Sequence, residues 1–386
     1  MELISIIITS LLLFFAVYGF ILVLAGATYK TKNVTPRTLT SIKILLPAYK
    51  PDQTFLQVLE SVRKAKKNHP VDVFILFQEA NQDIVQSAEK FGFDFEQKRF
   101  DHLSGNSYRH VLQYLCNHHL DENTHEYMLI LDKDNIVDEA FFDHLAKTSL
   151  TDYHIIQGAR KPLKTTEGIQ LFDAISERYN DLMLRKGKLQ LGGALEISGS
   201  AAVIKTNLFK YAIKQMDEEA PGYDKNFMVK LLTGPVKLRT LFEDALIVRE
   251  EKTTEINNYQ SQRLRWFGEQ YFNAFYNSKS LIKAAFLQGK FRSFDYLITL
   301  IRPPRSLQLV GSGLLAASDL IDLNFGYLSL PFFFNAVSFG IVAVPAMKLH
   351  QVKRLIIGLN KVLFSNVIAS VTCLKKKYRN TFIHTR

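Results

Sequence analysis

From Leu3 to Thr28 the chain carries no charged side chain and consists mainly of Leu, Ile, Phe, Val and Ala. At about 1.5 Å per helical residue, such a run matches the roughly 30 Å hydrocarbon core of a bilayer. Met1-Glu2 supplies no basic leader and no cleavage site follows, so an uncleaved anchor helix is expected. Lys30, Lys32 and Arg37 come next, which assigns the following domain to the cytosolic side by the positive-inside rule.

The other end is also apolar. Leu307 to Ile321 and Phe325 to Met347 read as two further spans, separated by Asp322-Leu323-Asn324. Basic residues flank the pair on both sides (Arg292, Arg302 and Arg305; Lys348, Lys353 and Arg354), so both flanks are expected in the cytosol. Leu355 to Leu374 contains Asn360, Lys361 and Asn366 and runs into Lys375-Lys376-Lys377. It reads as an amphipathic helix lying in the interface, as does Phe291 to Ile301. The expected division is an anchor at 1–29, a cytosolic domain at 38–290, and interfacial helices with two spans at 291–386.

The chain has 386 residues, with 48 Lys and Arg against 37 Asp and Glu, a net charge of +11. That balance suits anionic lipid or an anionic substrate. Nucleic acid is disfavoured, because the basic residues form no recognised binding motif. Cys116 and Cys373 are far apart, which implies neither a disulfide framework nor a zinc site.

Between the apolar ends, strand-like and helix-like segments alternate. Ile42 to Leu46 and Val71 to Phe77 read as strands, as does Tyr127 to Leu131. Helical patterns cover Thr54 to Lys67, behind Pro51-Asp52, then Asp83 to Phe91 and Asn106 to His118. The alternation predicts an α/β domain with a mostly parallel sheet, whose ligands bind beyond the carboxyl ends of the strands. Pro47-Ala48-Tyr49, Gln78-Glu79 and Asp132-Lys133-Asp134 all fall there.

Two carboxylates one residue apart, Asp132 and Asp134, suit a hard divalent cation and the diphosphate it bridges. Alone, the triplet is more often an acidic turn. Gly199-Ser200 forms a small-residue corner that lets a bulky group approach the backbone, or simply a bulge. Two acids compete as general base: Glu243-Asp244, expected after a strand Val236 to Leu241, and Asp224, at the start of a helix Asp224 to Leu232. A helix N-terminus stabilises an ionised carboxylate, although a plain cap explains Asp224 as well. Gln262, Arg265 and Trp266 share one helical face, which can set Arg265 on a leaving diphosphate and Trp266 on a sugar ring. A basic interfacial helix with one Trp is the bland alternative.

Taken together, these segments resemble the family 2 glycosyltransferases, in the membrane-embedded branch of cellulose, chitin and hyaluronan synthases and ceramide glucosyltransferase. The likeness runs from Ile42 to Trp266, and more loosely to the tail Phe382 to Arg386. It implies a GT-A fold, a nucleotide-sugar donor contacting Pro47, Ala48, Tyr49, Glu79, Asp132 and Arg265, and Mn²⁺ or Mg²⁺ at Asp132 and Asp134. It implies an acceptor at Gly199, Ser200, Gln262 and Trp266, and it selects Asp224 as the base over Asp244. The acceptor is expected to be a polysaccharide or a lipid, and the chain to work in a membrane, alone, as a homo-oligomer or as a channel subunit.

Three positions depart from the family pattern: Tyr223 where a Glu usually precedes the base, Gln78-Glu79 where a pair of Asp is common, and Leu103 before Ser104-Gly105-Asn106 where a Lys is common. They are the only support for a non-catalytic nucleotide- or glycan-binding subunit. A transporter is disfavoured by the lack of an intramembrane charged pair.

Overall fold

The structure, a computed structural model, describes residues 2–31, 38–100, 107–166, 168–321 and 326–375. The segment Leu103 to Asn106, Asp322 to Phe325 and the tail from Phe382 lie outside the described residues. The strands are β1 (Ile42–Tyr49), β2 (Val71–Gln78), β3 (Asp94–Gln97), β4 (Tyr127–Ile130), β5 (Ile136–Val137), β6 (Ile155–Pro162), β7 (Ala202–Lys205) and β8 (Thr240–Glu250). They form one sheet in the order β3-β2-β1-β4-β7-β6-β8-β5. The β3-β2-β1-β4 half is parallel, and β6 pairs parallel with β8. β7 runs antiparallel to both of its neighbours, and β5 antiparallel to β8. The mostly parallel α/β sheet expected from the sequence is therefore present.

β1 is apolar on both faces because both are covered. Ile42, Ile44 and Leu46 pack with Phe55, Val58 and Leu59 of the helix Gln53–Lys66 and with Ile84 and Val85 of the helix Gln82–Glu89. Leu45, on the other face, shares a core with the helices Ser107–His118, Thr206–Gln215 and Asp224–Thr233. The helix starts follow capping chemistry: Asp52 accepts from the Thr54 amide at 2.8 Å and Asn81 from that of Asp83 at 3.0 Å.

One strand differs from the expectation. β8 begins at Thr240 rather than ending at Leu241, and Glu243-Asp244 lies inside it. The pairing with β6 jumps from Gly158–Glu243 to Ala159–Ile247, so residues 244–246 bulge out of the ladder. Gly158 is required opposite, because a Cβ there would run into the Leu246 carbonyl. The bulge turns Asp244 outward onto Lys186, 2.5 Å away.

Among the described residues, three helices are long and apolar enough to cross a membrane: Ser5–Thr28, Tyr327–Ala346 and Leu349–Thr372. The first two match the expected spans. The third is not one of the expected spans, and the expected span Leu307 to Ile321 lies on the helix Arg305–Ile321, which is not among the three. Its Asp319 is buried and accepts the Ser329 hydroxyl at 2.6 Å. The helix Leu349–Thr372 turns Ser365, Asn366 and Ser370 inward, with Asn366 donating to the Tyr259 hydroxyl at 3.2 Å, and leaves Ile356, Ile357 and Phe364 exposed. Such an outer face suits lipid contact. The helix Phe291–Ile301 is amphipathic as expected, with Tyr296 and Leu300 inward and Phe291 and Phe294 outward.

The N-terminal helix packs on a π-helical segment, Asp181–Gly187. Gly26 abuts the Leu182 carbonyl and Gly187 the Leu22 carbonyl, contacts that a Cβ on either glycine would block.

Candidate active site

The carboxyl ends of the parallel neighbours β1, β2 and β4 lie along one edge of the sheet. Of the four non-glycine residues with left-handed backbone among the described residues, Lys50 (φ 46°), Glu79 (φ 49°) and Ala201 (φ 56°) sit at strand ends along it. Strain of this kind, of order 1–3 kcal/mol each, is held in place by surrounding structure and concentrates at functional sites.

Asp132 and Asp134 leave β4 in a tight turn. Asn135 accepts the Asp132 amide at 2.9 Å and donates to Asp134 at 3.2 Å. Lys133, between them, points away and donates to the carbonyls of Tyr49 and Lys50, both at 3.0 Å. The acidic turn is thereby tied to the end of β1. The Tyr108 hydroxyl donates to Asp132 at 3.2 Å. Burial, the Asp132 charge and Glu250 push Asp134 up to about 7. Burial also raises Asp132, against the pull of Arg160. Two crowded carboxylates of raised pKa fit a site for a divalent cation. Among the described residues no third His, Cys, Asp or Glu joins them, so diphosphate oxygens and water would fill the remaining positions.

The other expected donor contacts divide. Tyr49 reaches the rim, whereas Pro47 and Ala48 are buried within β1 and can meet a ligand only through their backbone. Glu79 is on the rim and forms an ion pair with Lys50 at 3.1 Å. Arg265, on the long helix Ile256–Leu287, lowers the pKa of both Asp132 and Asp224, so its guanidinium acts on both acids.

Asp224 opens the helix Asp224–Thr233 and is part of a buried group that only the tertiary structure assembles. Glu269 accepts the Lys225 amide at 3.0 Å, and the Lys225 ammonium lies 3.7 Å from Asp224, 3.8 Å from Glu269 and 3.7 Å from Glu196. Gly222 makes room, since a Cβ there would collide with the Glu269 carboxyl group. Burial alone would raise Asp224, but Lys225, a hydrogen bond with Glu269 and Arg265 outweigh it and hold the carboxylate below its usual range. Burial and the Asp224 charge push Glu269 well up. The two acids are thus shifted in opposite directions, the pattern that separates a base from a supporting donor.

Gly199 has φ of +79°, and Tyr223 donates its hydroxyl to the Gly199 carbonyl. The Tyr223 ring lies 5.4 Å from that of Tyr108, so the residue that departs from the family pattern links the small-residue corner to Asp132. Gln157 clamps the same corner, bonding Ser198 and the Ser200 carbonyl at 2.9 to 3.0 Å. The Ser200 side chain is fully buried, so this corner meets a ligand through Gly199 and backbone. Gln262 and Trp266 are half-buried on the face of the long helix that carries Arg265.

Sequence reasoning missed the charge network beneath. Arg160 holds Glu250 in a bidentate pair, Nη2 to Oε1 at 2.7 Å and Nε to Oε2 at 3.1 Å, and donates to the Ser198 carbonyl at 2.7 Å. Lys252 joins Glu250 to Asp173, and Asp173 accepts from Arg263, whose guanidinium stacks 4.2 Å from the Trp266 ring. Glu269 could have been found, because it lies one turn from Arg265 on the same helix. The partners of Arg160 and Asp173 are distant in sequence and carry no local signal.

The family model described as "Glycosyltransferase like family 2" matches residues 37–269. A mannosyltransferase from Pyrobaculum calidifontis, solved with GDP-Man and Mn²⁺, aligns over 97% of this chain and 99% of its own, with a TM-score of 0.59 and 11% identity. TarS residues 1–349 from S. aureus align over 86% and 91%, with a TM-score of 0.44 and 12% identity. Glucosyl-3-phosphoglycerate synthase from Mycobacterium tuberculosis aligns over 62% and 76%, with a TM-score of 0.38 and 15% identity. No curated protein sequence matches the chain. The likeness to the mannosyltransferase identifies the fold as GT-A.

Proposed function

Because the chain belongs to glycosyltransferase family 2, we propose that it is a membrane-bound inverting transferase moving a sugar from a nucleoside-diphosphate donor to a lipid or polysaccharide acceptor. The observation that carries this reading is that Arg265 lies close enough to act on both Asp132 and Asp224, with the Tyr108 and Tyr223 rings in contact between the acidic turn and the Asp224 helix. The P. calidifontis mannosyltransferase, solved with GDP-Man and Mn²⁺, supports a nucleotide-sugar and a divalent cation here too. The wider resemblance favours UDP as the donor nucleotide. The three candidate spans support a membrane setting, with the catalytic domain on the cytosolic side by the charge rule.

In this reading Asp132 and Asp134 hold the cation, which when bound neutralises charge on the donor diphosphate. Arg265 adds positive charge where the leaving group develops its own. Asp224 accepts the proton of the attacking hydroxyl, and Glu269 and Lys225 keep that carboxylate ionised and oriented. The new glycosidic bond forms at the anomeric carbon as its bond to the diphosphate oxygen breaks, which inverts that centre. Trp266 stacks on the acceptor sugar.

The test is nucleotide release from a panel of UDP- and GDP-sugars with Mn²⁺, using detergent-solubilised protein. One donor should support release, and Asp224→Asn should lower it by about 10²–10⁴-fold with donor binding retained. Unchanged turnover in that variant would remove Asp224 from the mechanism. Binding without release from any donor would favour the non-catalytic subunit.

A further inference from the structure

Two arginines stand where the catalytic domain meets the membrane helices, Arg302 buried and Arg305 partly buried. Arg302 is 8% exposed, and Arg305 begins the helix Arg305–Ile321. Neither has a carboxylate within ion-pair distance among the described residues. The acids that reach them electrostatically are engaged elsewhere: Glu196 by Lys225 at 3.7 Å and Glu177 by Arg185 at 2.8 Å. Three buried polar atoms in this short stretch, Arg302 Nε, Arg305 Nη1 and Ser306 Oγ, have no hydrogen-bond partner among the described residues. A buried guanidinium without counter-charge is costly, and the unmet donors beside it call for a ligand.

The surroundings hold these groups still. Gln270 binds the Arg302 carbonyl at 2.7 Å and Gln308 that of Pro303 at 2.6 Å. Arg305 stacks 4.5 Å from the Tyr179 ring and donates to the Ser176 hydroxyl at 2.7 Å, yet remains partly open to solvent. The positive end of the helix Arg305–Ile321 lies at the same spot. Arg263 bridges inward, close enough to influence Arg305 and stacked on Trp266. Outward, the helix Arg305–Ile321 packs on both the N-terminal helix and the helix Leu330–Ala343. A group bound here would have a sugar-stacking residue on one side and apolar helices on the other.

We propose that Arg302, Arg305 and Ser306 form a pocket for the phosphate of a membrane-embedded acceptor, a lipid bearing a phosphate or diphosphate head group. Guanidinium forks match phosphate oxygens, and a phosphate would meet the unpaired donors and neutralise the buried charge together. This rests on the transferase reading and names its acceptor class. The pocket binds without reacting: the acceptor hydroxyl still loses its proton to Asp224, and the donor diphosphate still leaves.

Native mass spectrometry of the full chain with phosphatidic acid, phosphatidylcholine or inorganic phosphate tests it. Phosphatidic acid should be retained at least about tenfold better than phosphatidylcholine, and Arg302→Gln with Arg305→Gln should abolish that preference. Competition by inorganic phosphate as strong as by the lipid would assign the pocket to phosphate on a soluble acceptor; weak competition, to a lipid-borne one. Either upholds the pocket. Without ligand, the double variant should melt no lower than wild type, whereas wild type alone should gain stability from phosphatidic acid. Equal retention of the two lipids, or undiminished phosphatidic acid binding in the double variant, overturns it. If the double variant does not fold, Ser306→Ala decides, by weakening the preference or leaving it intact. Donor binding with Mn²⁺, measured separately, tells failure of this pocket from failure of the transferase reading.

Discussion

Glu269 accepts the backbone amide of Lys225 at 3.0 Å, which sets its carboxyl group beside Asp224 from another helix. Family 2 enzymes commonly place a Glu immediately before the base, where this chain has Tyr223. Here a second acid reaches Asp224 through space, and Tyr223 instead donates to the Gly199 carbonyl.

Because burial and the Asp224 charge push Glu269 well above the usual carboxylate range, Glu269→Gln should keep turnover within severalfold, while Glu269→Ala, which removes the hydrogen bond to Asp224, should lose more than about tenfold. Steady-state kinetics on the two variants checks this. Equal losses would point to shape rather than proton donation.

Asp224 is held below the usual carboxylate range, so it is ionised at neutral pH and loses its charge only in acid. Lys225 is the largest influence lowering it, and Lys225→Met should therefore raise its pKa. The acid limb of the kcat/KM profile should then move to higher pH. The linked stability follows the same sign: it is present above the unfolded Asp pKa and declines as pH falls.

Chelation by EDTA should abolish donor binding, and Mn²⁺ should restore it. Asp134→Ala should weaken Mn²⁺ binding by more than about tenfold, since even groups supporting a metal ligand typically matter that much. Calorimetric titration of the metal measures it.

Asp173 faces both Arg263 and Lys252 in the interior. Asp173→Asn should leave two buried cations short of charge and destabilise the domain by about 3–5 kcal/mol, read as a lowered Tm. Adding Lys252→Met should recover part of the loss.

Both native cysteines are buried, so an introduced surface cysteine can be labelled against low background. Lys279→Cys, on an exposed position of the long helix, should react with a membrane-impermeant maleimide only after the cytosolic face is opened. Labelling of intact cells would reverse the proposed orientation.

Periodic and composition signals carried far in this chain. The uncharged run Leu3 to Thr28, the strands of the parallel half and the Asp52 cap are local features, because burial on both faces, side-chain length and capping act over a few residues. Asp132, Asp134 and Arg265 could be singled out for the same reason, each standing in a short motif. What tertiary structure alone decided were matters of long-range pairing. The β8 bulge that turns Asp244 outward depends on Gly158 in another strand. Seating the helix Leu349–Thr372 on Tyr259 depended on packing that hydropathy does not see. The acid beside Asp224, the clamp on Ser198 and the pairing of Arg160 with Glu250 join residues far apart in the chain. Buried charges must be neutralised where the fold brings them together, and only the folded chain specifies that place.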